Sequence, residues 1–276
     1  MREKRIEKLV ANLCLAIICV IMLVPVYFLI NNAFKQKAFI YKSPMVLTAE
    51  SFTFENMEKA FSLMKFPQST QNSIAILVIS CLGLVILGSL ASYAISTNKR
   101  LWTKRIYLII VALVTVPVSC AQIPLAKELS SMGLINTWLG ASMVYIAFGL
   151  PFAIFVFTGY SNSIPKEMWE ASTIDGCSIF QAYLHIYMPL IKMAATTIII
   201  MRGSYIWNDI LVPLITISKS AGQTLPQKLV AFAGNSVSRW ELMFAATLLI
   251  SLPNLILYLC FQKVFVGALT AGAVKG

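Results

Sequence analysis

The feature that most constrains this chain is a run without a single charge from Leu9 to Phe34, directly after the basic cluster Arg2, Lys4, Arg5 and Lys8. A helix needs about 20 apolar residues to cross the hydrocarbon core of a bilayer, and this run exceeds that. A signal peptide has an apolar core of only about 7–15 residues followed by a small-residue cleavage site. The run is therefore expected to be an uncleaved first span. Composition agrees: 58% of residues are hydrophobic and 12% charged. That is about half the charged share of a soluble domain, too little to cover a globule with polar surface. A soluble enzyme, a disordered chain and a disulfide-rich secreted module are excluded. The class is all-α, a polytopic integral membrane protein in a lipid bilayer.

The same length criterion predicts six transmembrane helices, at about 9–34, 72–97, 105–126, 138–160, 193–217 and 241–262. Basic residues crowd the N-terminus and the short segment Lys99, Arg100, Lys104 and Arg105. An excess of Lys and Arg marks cytoplasmic loops, so both places, and with an even number of spans both termini, are expected in the cytoplasm. The net charge of +11 follows from that clustering and implies no nucleic acid. The six cysteines form no C-x-x-C and read as small buried hydrophobes. With one histidine, His185, no His-based metal site can form, and no cofactor is implied.

The informative loop is 161–192, on the cytoplasmic side. Ser163 can cap a helix, with Pro165 near its first turn and Glu167 favoured by the helix dipole. Asp175-Gly176 should end that helix, because glycine adopts the left-handed conformation without steric cost. Ser178 can cap a second helix whose apolar stripe is Ile179, Tyr183, Ile186 and Leu190. The result is a helix–turn–helix platform at the membrane surface, with Met168 and Trp169 beside the small residues Ala171 and Ser172. An amphipathic loop resting on headgroups would look similar.

The stretch Glu170-Ala171-Ser172-x-x-Asp175-Gly176, followed by Ile186-x-x-Pro189-Leu190, resembles the EAA loop of ABC importer permeases. Ser172 replaces the motif's second alanine, and Met193 stands where many members have proline. The resemblance extends over most of the chain to the maltose-type carbohydrate permeases, the second permease of such systems. It is carried by Gly133-Leu134-x-Asn136-Thr137, Ser163-Ile164-Pro165-Lys166-Glu167, Trp207-Asn208-Asp209, Thr224-Leu225-Pro226 and the tail from Gly267 to Gly276. Residues 1–60 match only generically. The resemblance implies an ABC importer permease fold in one transmembrane domain, in the inner or plasma membrane of a prokaryote. It implies a second permease, two cytoplasmic ATPase subunits, an external solute-binding protein and a sugar substrate. It places Met168, Trp169, Glu170, Ala171, Ser172, Asp175 and Gly176 against the ATPase, and brings the cytoplasmic tail 263–276, through Gly272, Lys275 and Gly276, to the same interface. ATP hydrolysis would belong to the partner, so no catalytic residue is expected.

Arg202 and Asp209 are the ionisable residues well inside a predicted span. Seven residues at about 100° each would set them nearly on one helix face. A charge at mid-bilayer costs about 3 kcal/mol or more and usually faces a bundle interior or a wet path. Arg202, Trp207, Asn208 and Asp209 are therefore candidates for a sugar pathway; interhelical hydrogen bonding is the structural alternative. Gly83-x-x-x-x-Gly88 lacks the lysine of a phosphate loop and reads as a helix contact. Two alternatives stay open: a permease for a non-sugar solute, and a self-contained secondary carrier. The carrier should show paired broken helices in two halves, whereas only the fifth span is visibly interrupted.

Overall fold

The computed structural model describes residues 2–273 apart from 99, 166, 169–171, 173 and 234–238, and side chains from 6 to 259 apart from 257. Regular structure among them is helical, with one isolated antiparallel bridge between Lys35 and Phe52. The chain forms two compact units, Met1–Phe66 with Lys228–Leu255, and Pro67–Gln227 with Ile256–Gly276.

The first unit begins with α1 (Arg2–Ala33), followed by α2 (Lys37–Lys42) and α3 (Glu55–Leu63). The most apolar 18-residue stretch within Ile6–Ala33 has a mean hydropathy of 3.0, and none of it is buried, as expected of a helix meant for lipid. Beyond α1 the chain is polar but ordered, because amide side chains satisfy the irregular backbone. Asn31 and Asn32 both donate to the Pro44 carbonyl, and Asn56 donates to the carbonyls of Ala33 and Lys35. Phe34, Phe52 and Phe54 close an aromatic cluster over this turn. Lys35 is fully buried, donates to the Ser43 carbonyl at 2.7 Å, and has its ammonium pKa lowered by that burial.

The second unit is built around α4 (Phe66–Thr97) and α7 (Trp138–Ser161), which pack through small residues. A Cβ on Gly88 would stand 2.9 Å from the Ala153 Cβ, and one on Gly83 would run into Ile146. Small residues let helix backbones approach in the membrane, where the hydrophobic effect supplies no drive. The pair thus has the role that sequence reading gives Gly83 and Gly88. One core cluster gathers Ile76, Val144, Tyr145, Ile206 and Val212; another gathers Leu84, Phe157, Tyr187, Ile191 and Ile198.

Two predicted spans are broken. In the third, α5 (Leu101–Ala112) continues as a 3₁₀ turn to Thr115, and the chain resumes at Val118 toward α6 (Gln122–Ser131) at 89°. Pro117 is the cause: it has no N–H to donate and forces Val116 out of helical geometry, to φ −81°, ψ 112°. Just before the fifth, α8 (Ile179–Leu190) meets α9 (Lys192–Asn208) at 68°, and within it α10 (Leu211–Thr216) follows an extended Asp209. A continuous helix would require the Pro213 N–H to bond the Asp209 carbonyl. The restart instead places Pro213 in the first turn of α10, where no donor is needed. Among the described residues, three helices are long and apolar enough to cross a bilayer alone, and up to five crossings result when each bent pair counts as one. After α11 (Leu225–Ala233), the helix α12 (Trp240–Ala273) adds the apolar segment Trp240–Ile256.

Candidate coupling loop and intramembrane polar site

The loop after α7 folds as its residues dictate. Gly176 takes φ +72°, and the Cys177 N–H donates to the Ser172 carbonyl at 3.0 Å. This six-to-one bond with a left-handed glycine closes the first loop helix. Ser172 is buried beneath the turn, whereas Ile174 is 85% exposed and Met168, Asp175 and Gly176 are exposed beside it. Trp169, Glu170 and Ala171, and the tail residues Lys275 and Gly276, lie outside the described residues; Gly272 belongs to α12, whose helix runs to Ala273. The stretch read as a small-residue tail is therefore helical over most of its length.

Ser178 caps α8 in a reciprocal box: its hydroxyl accepts the Gln181 N–H at 3.3 Å, and its own N–H donates to Gln181 Oε1 at 2.8 Å. The predicted apolar stripe is corrected. Ile179 and Leu190 are exposed, while Ala182, Tyr183, Tyr187 and Ile191 are buried. The cause is a π turn over Tyr183–Tyr187, which inserts one residue and shifts the register of the buried face.

Of the four pathway candidates, Arg202 and Asp209 are linked through Tyr205 and Tyr145, whose rings meet edge to face at 6.5 Å, rather than by a shared helix face. Trp207 is buried at 3% exposure. Asn208 is exposed and its amide donates back to the Ser204 carbonyl. Asp209 is not on a helix face with Arg202, because α9 ends at Asn208. Its carboxylate accepts the backbone N–H groups of Leu211 and Val212 and the Tyr145 hydroxyl at 2.9 Å, so it starts α10 and ties α10 to α7. The Arg202 guanidinium lies over Gly149, where a Cβ would come within 3.1 Å of it, and stacks on the Tyr205 ring at 4.8 Å. Among the described residues Arg202 forms no ion pair, and its buried Nε has no hydrogen-bond partner.

Several organising residues receive no structural role from the sequence, although Asn136 and Thr137 lie in the Gly133-Leu134-x-Asn136-Thr137 stretch. Asn136, at φ +63°, accepts from the Ser218 and Lys219 N–H groups and so staples the turn before α7 to the segment after α10. Thr137 caps α7 by accepting from the Gly140 N–H. Asn72 receives the Trp138 indole N–H and donates to the carbonyls of Ala221 and Gln223. The available signal was the spacing of polar residues inside apolar helices, Asn72-Ser73 and Ser89-x-x-Ser92 in α4 and Thr158-x-x-Ser161 in α7. In hydrocarbon such residues must bond another helix or their own.

These features define a class: a helical membrane protein with broken spans and a capped, partly apolar loop between its fourth and fifth predicted spans. Residues 84–269 match the family described as binding-protein-dependent transport system inner membrane component, and the chain belongs to that family. It is a transport component of the membrane rather than an enzyme. It is 30% identical to the melibiose/raffinose/stachyose import permease protein MelC of Bacillus subtilis, over the full length of both chains. It is also 30% identical, again over both full lengths, to AmyC of Thermoanaerobacterium thermosulfurigenes, a probable starch degradation products transport system permease. Its fold is shared with a chain of a bacterial ABC transporter involved in import of the acidic polysaccharide alginate, at a TM-score of 0.76 and 21% identity, covering 95% of this chain and 98% of that one.

Proposed function

We propose that this chain is the permease subunit of an ATP-driven importer of sugars or oligosaccharides, contributing half of the translocation pathway. The observation that carries this is full-length similarity to two permeases that serve sugars or starch products. Six spans with both termini in the cytoplasm place the loop 161–192 where a cytoplasmic ATPase can reach it. There Met168, Ile174, Asp175 and the Gly176 turn form the docking surface together with Trp169, Glu170 and Ala171, and the end of the chain from Gly272 to Gly276 reaches the same partner. A second permease completes the pathway, with Arg202, Tyr205 and Asn208 as polar lining on this side. In the first unit a charged cleft of about 530 Å³, walled by Lys37, Glu55, Lys59, Arg239 and Glu241, suits an external solute-binding protein. It lacks the aromatic faces that hold sugars, whereas its mixed charges fit protein side chains.

The test is purification of the tagged chain from native membranes in mild detergent. An ATPase and a second permease are expected in equal amounts with it, and Gly176→Val should release the ATPase while keeping the second permease. The left-handed turn costs an L-residue about 1–2 kcal/mol, and a branched side chain more. A chain recovered alone that moves solute after reconstitution without ATP would overturn the proposal. Uptake of a non-sugar solute by the intact complex would overturn the substrate class.

A further inference from the structure

The second loop helix is fastened to the spans by hydroxyl groups rather than by apolar packing alone. The Tyr187 hydroxyl lies 2.6 Å from the Ser161 Oγ in α7 and donates to the Ser92 Oγ in α4 at 2.9 Å. Ser92 in turn is 3.0 Å from the Thr158 Oγ1. The Tyr183 hydroxyl meets the Ser89 Oγ at 2.8 Å, and the Tyr93 hydroxyl donates to the Ile179 carbonyl at 3.2 Å. The rings of Tyr93, Tyr183 and Tyr187 pack against one another with centroids 5.1–6.0 Å apart. Tyr187 is fully buried, as are Ser89 and Ser92.

The π turn over Tyr183–Tyr187 makes this possible. Its extra residue turns both tyrosines toward α4 and α7, and single π turns recur at functional sites because they redirect side chains in this way. Immediately beyond lies the 68° break between Leu190 and Lys192. A push on the loop from the cytoplasm would be absorbed by bending there if α8 were joined to the spans only through α9. The hydroxyl clamp bypasses that joint. It connects α8 to the ends of α4 and α7 nearest the loop, at Ser89, Ser92, Thr158 and Ser161. Each hydroxyl both donates and accepts, so the clamp can exchange partners without leaving a buried group unpaired.

We infer that Tyr187 and Tyr183 are positioning residues for energy coupling: they transmit displacement of the docking loop to the spans Phe66–Thr97 and Trp138–Ser161. The inference deepens the importer proposal and depends on it. Neither tyrosine touches solute or nucleotide; each acts through the helices it holds.

The experiment uses the whole complex, purified through this chain with the subunits that accompany it and reconstituted in proteoliposomes with its solute-binding protein. Solute uptake and ATP hydrolysis are measured together. Tyr187→Phe keeps the ring and removes the hydroxyl. Uptake per ATP should fall about tenfold while hydrolysis and subunit recovery persist, the scale of one or two lost buried hydrogen bonds. Ser92→Ala and Ser161→Ala, which remove the partner hydroxyls with little change in volume, should lower the same ratio. An unchanged ratio in all three variants overturns the inference, as does a parallel fall in uptake and hydrolysis, which would mark a purely structural role. If Tyr187→Phe fails to assemble, the two serine variants decide between the same outcomes. Failure of the importer proposal reads differently, since the unsubstituted chain would then recruit no ATPase at all.

Discussion

Among the three described helices long and apolar enough to cross a bilayer, the most apolar is the least buried and the least apolar is the most buried. The most apolar 18-residue stretch of α1, within Ile6–Ala33, has a mean hydropathy of 3.0 and none of it is buried, while the corresponding stretch of α7 has a mean hydropathy of 2.0 and is 44% buried. The difference lies in residue kind. The buried set of α7 includes Gly140, Ser142, Tyr145, Gly149, Thr158 and Ser161, residues that permit close approach or bond across helices. Those of α1 before Asn31 are mostly Leu, Ile, Val and Met, which lipid accommodates as well as protein does. In a membrane, hydropathy reports what faces lipid, and small and polar residues report what faces protein.

That contrast can be broken most forcefully at Gly88. Gly88→Leu forces a side chain into Ala153 and Phe157 and should destabilise the second unit by about 3 kcal/mol, the upper range for overpacking. Thermal unfolding in detergent would show it, and an unshifted transition would refute close packing of α4 on α7. Asp209→Ala should cost about 2 kcal/mol, because it removes the cap of α10 and the Tyr145 bond together. Asp209→Asn, which still accepts, should recover most of that, and equal losses for the two would point to charge rather than capping. Ser178→Ala removes one side of the capping box and should cost about 1 kcal/mol. Hydrogen exchange at the Gln181 amide is the direct readout, and unchanged protection would argue against the cap. At the small end, Val20→Ala in α1 should shift stability by less than about 0.5 kcal/mol, since the side chain is 64% exposed. A larger loss would mean that α1 is covered by protein in the assembled complex and would narrow the contrast.

Much of the fold was legible because membrane helices announce themselves by length and apolarity. The helices Arg2–Ala33, Phe66–Thr97 and Trp138–Ser161 overlap the stretches 9–34, 72–97 and 138–160 read from apolarity, the first two with added turns at their N-terminal ends. The left-handed Gly176 and the Ser178 cap were also legible, since both depend on local backbone chemistry. The interruption of the fifth span was visible in the sequence, but the break after Thr115 was not placed, although Pro117 marks it. Proline within an apolar stretch permits a kink, a break or a restart, and its neighbours decide which. The common face of Arg202 and Asp209 failed for the same reason: helical spacing holds only while the helix continues.

The sequence by itself determined that this chain is a helical membrane protein, and that a left-handed glycine turn and a serine-capped helix lie between its fourth and fifth predicted spans. These are properties of composition and of interactions within a few residues. Only the tertiary structure decided that Asp209 caps α10 beneath Tyr145, that Asn136 staples two segments more than eighty residues apart in sequence, and that Tyr183 and Tyr187 turn inward to meet serines on α4 and α7. Apart from the local bonds from Leu211 and Val212 to Asp209, each of those outcomes rests on a hydrogen bond between groups distant along the chain. In an apolar medium such groups must find partners, and which partner each finds is set by the packing of the helices around it.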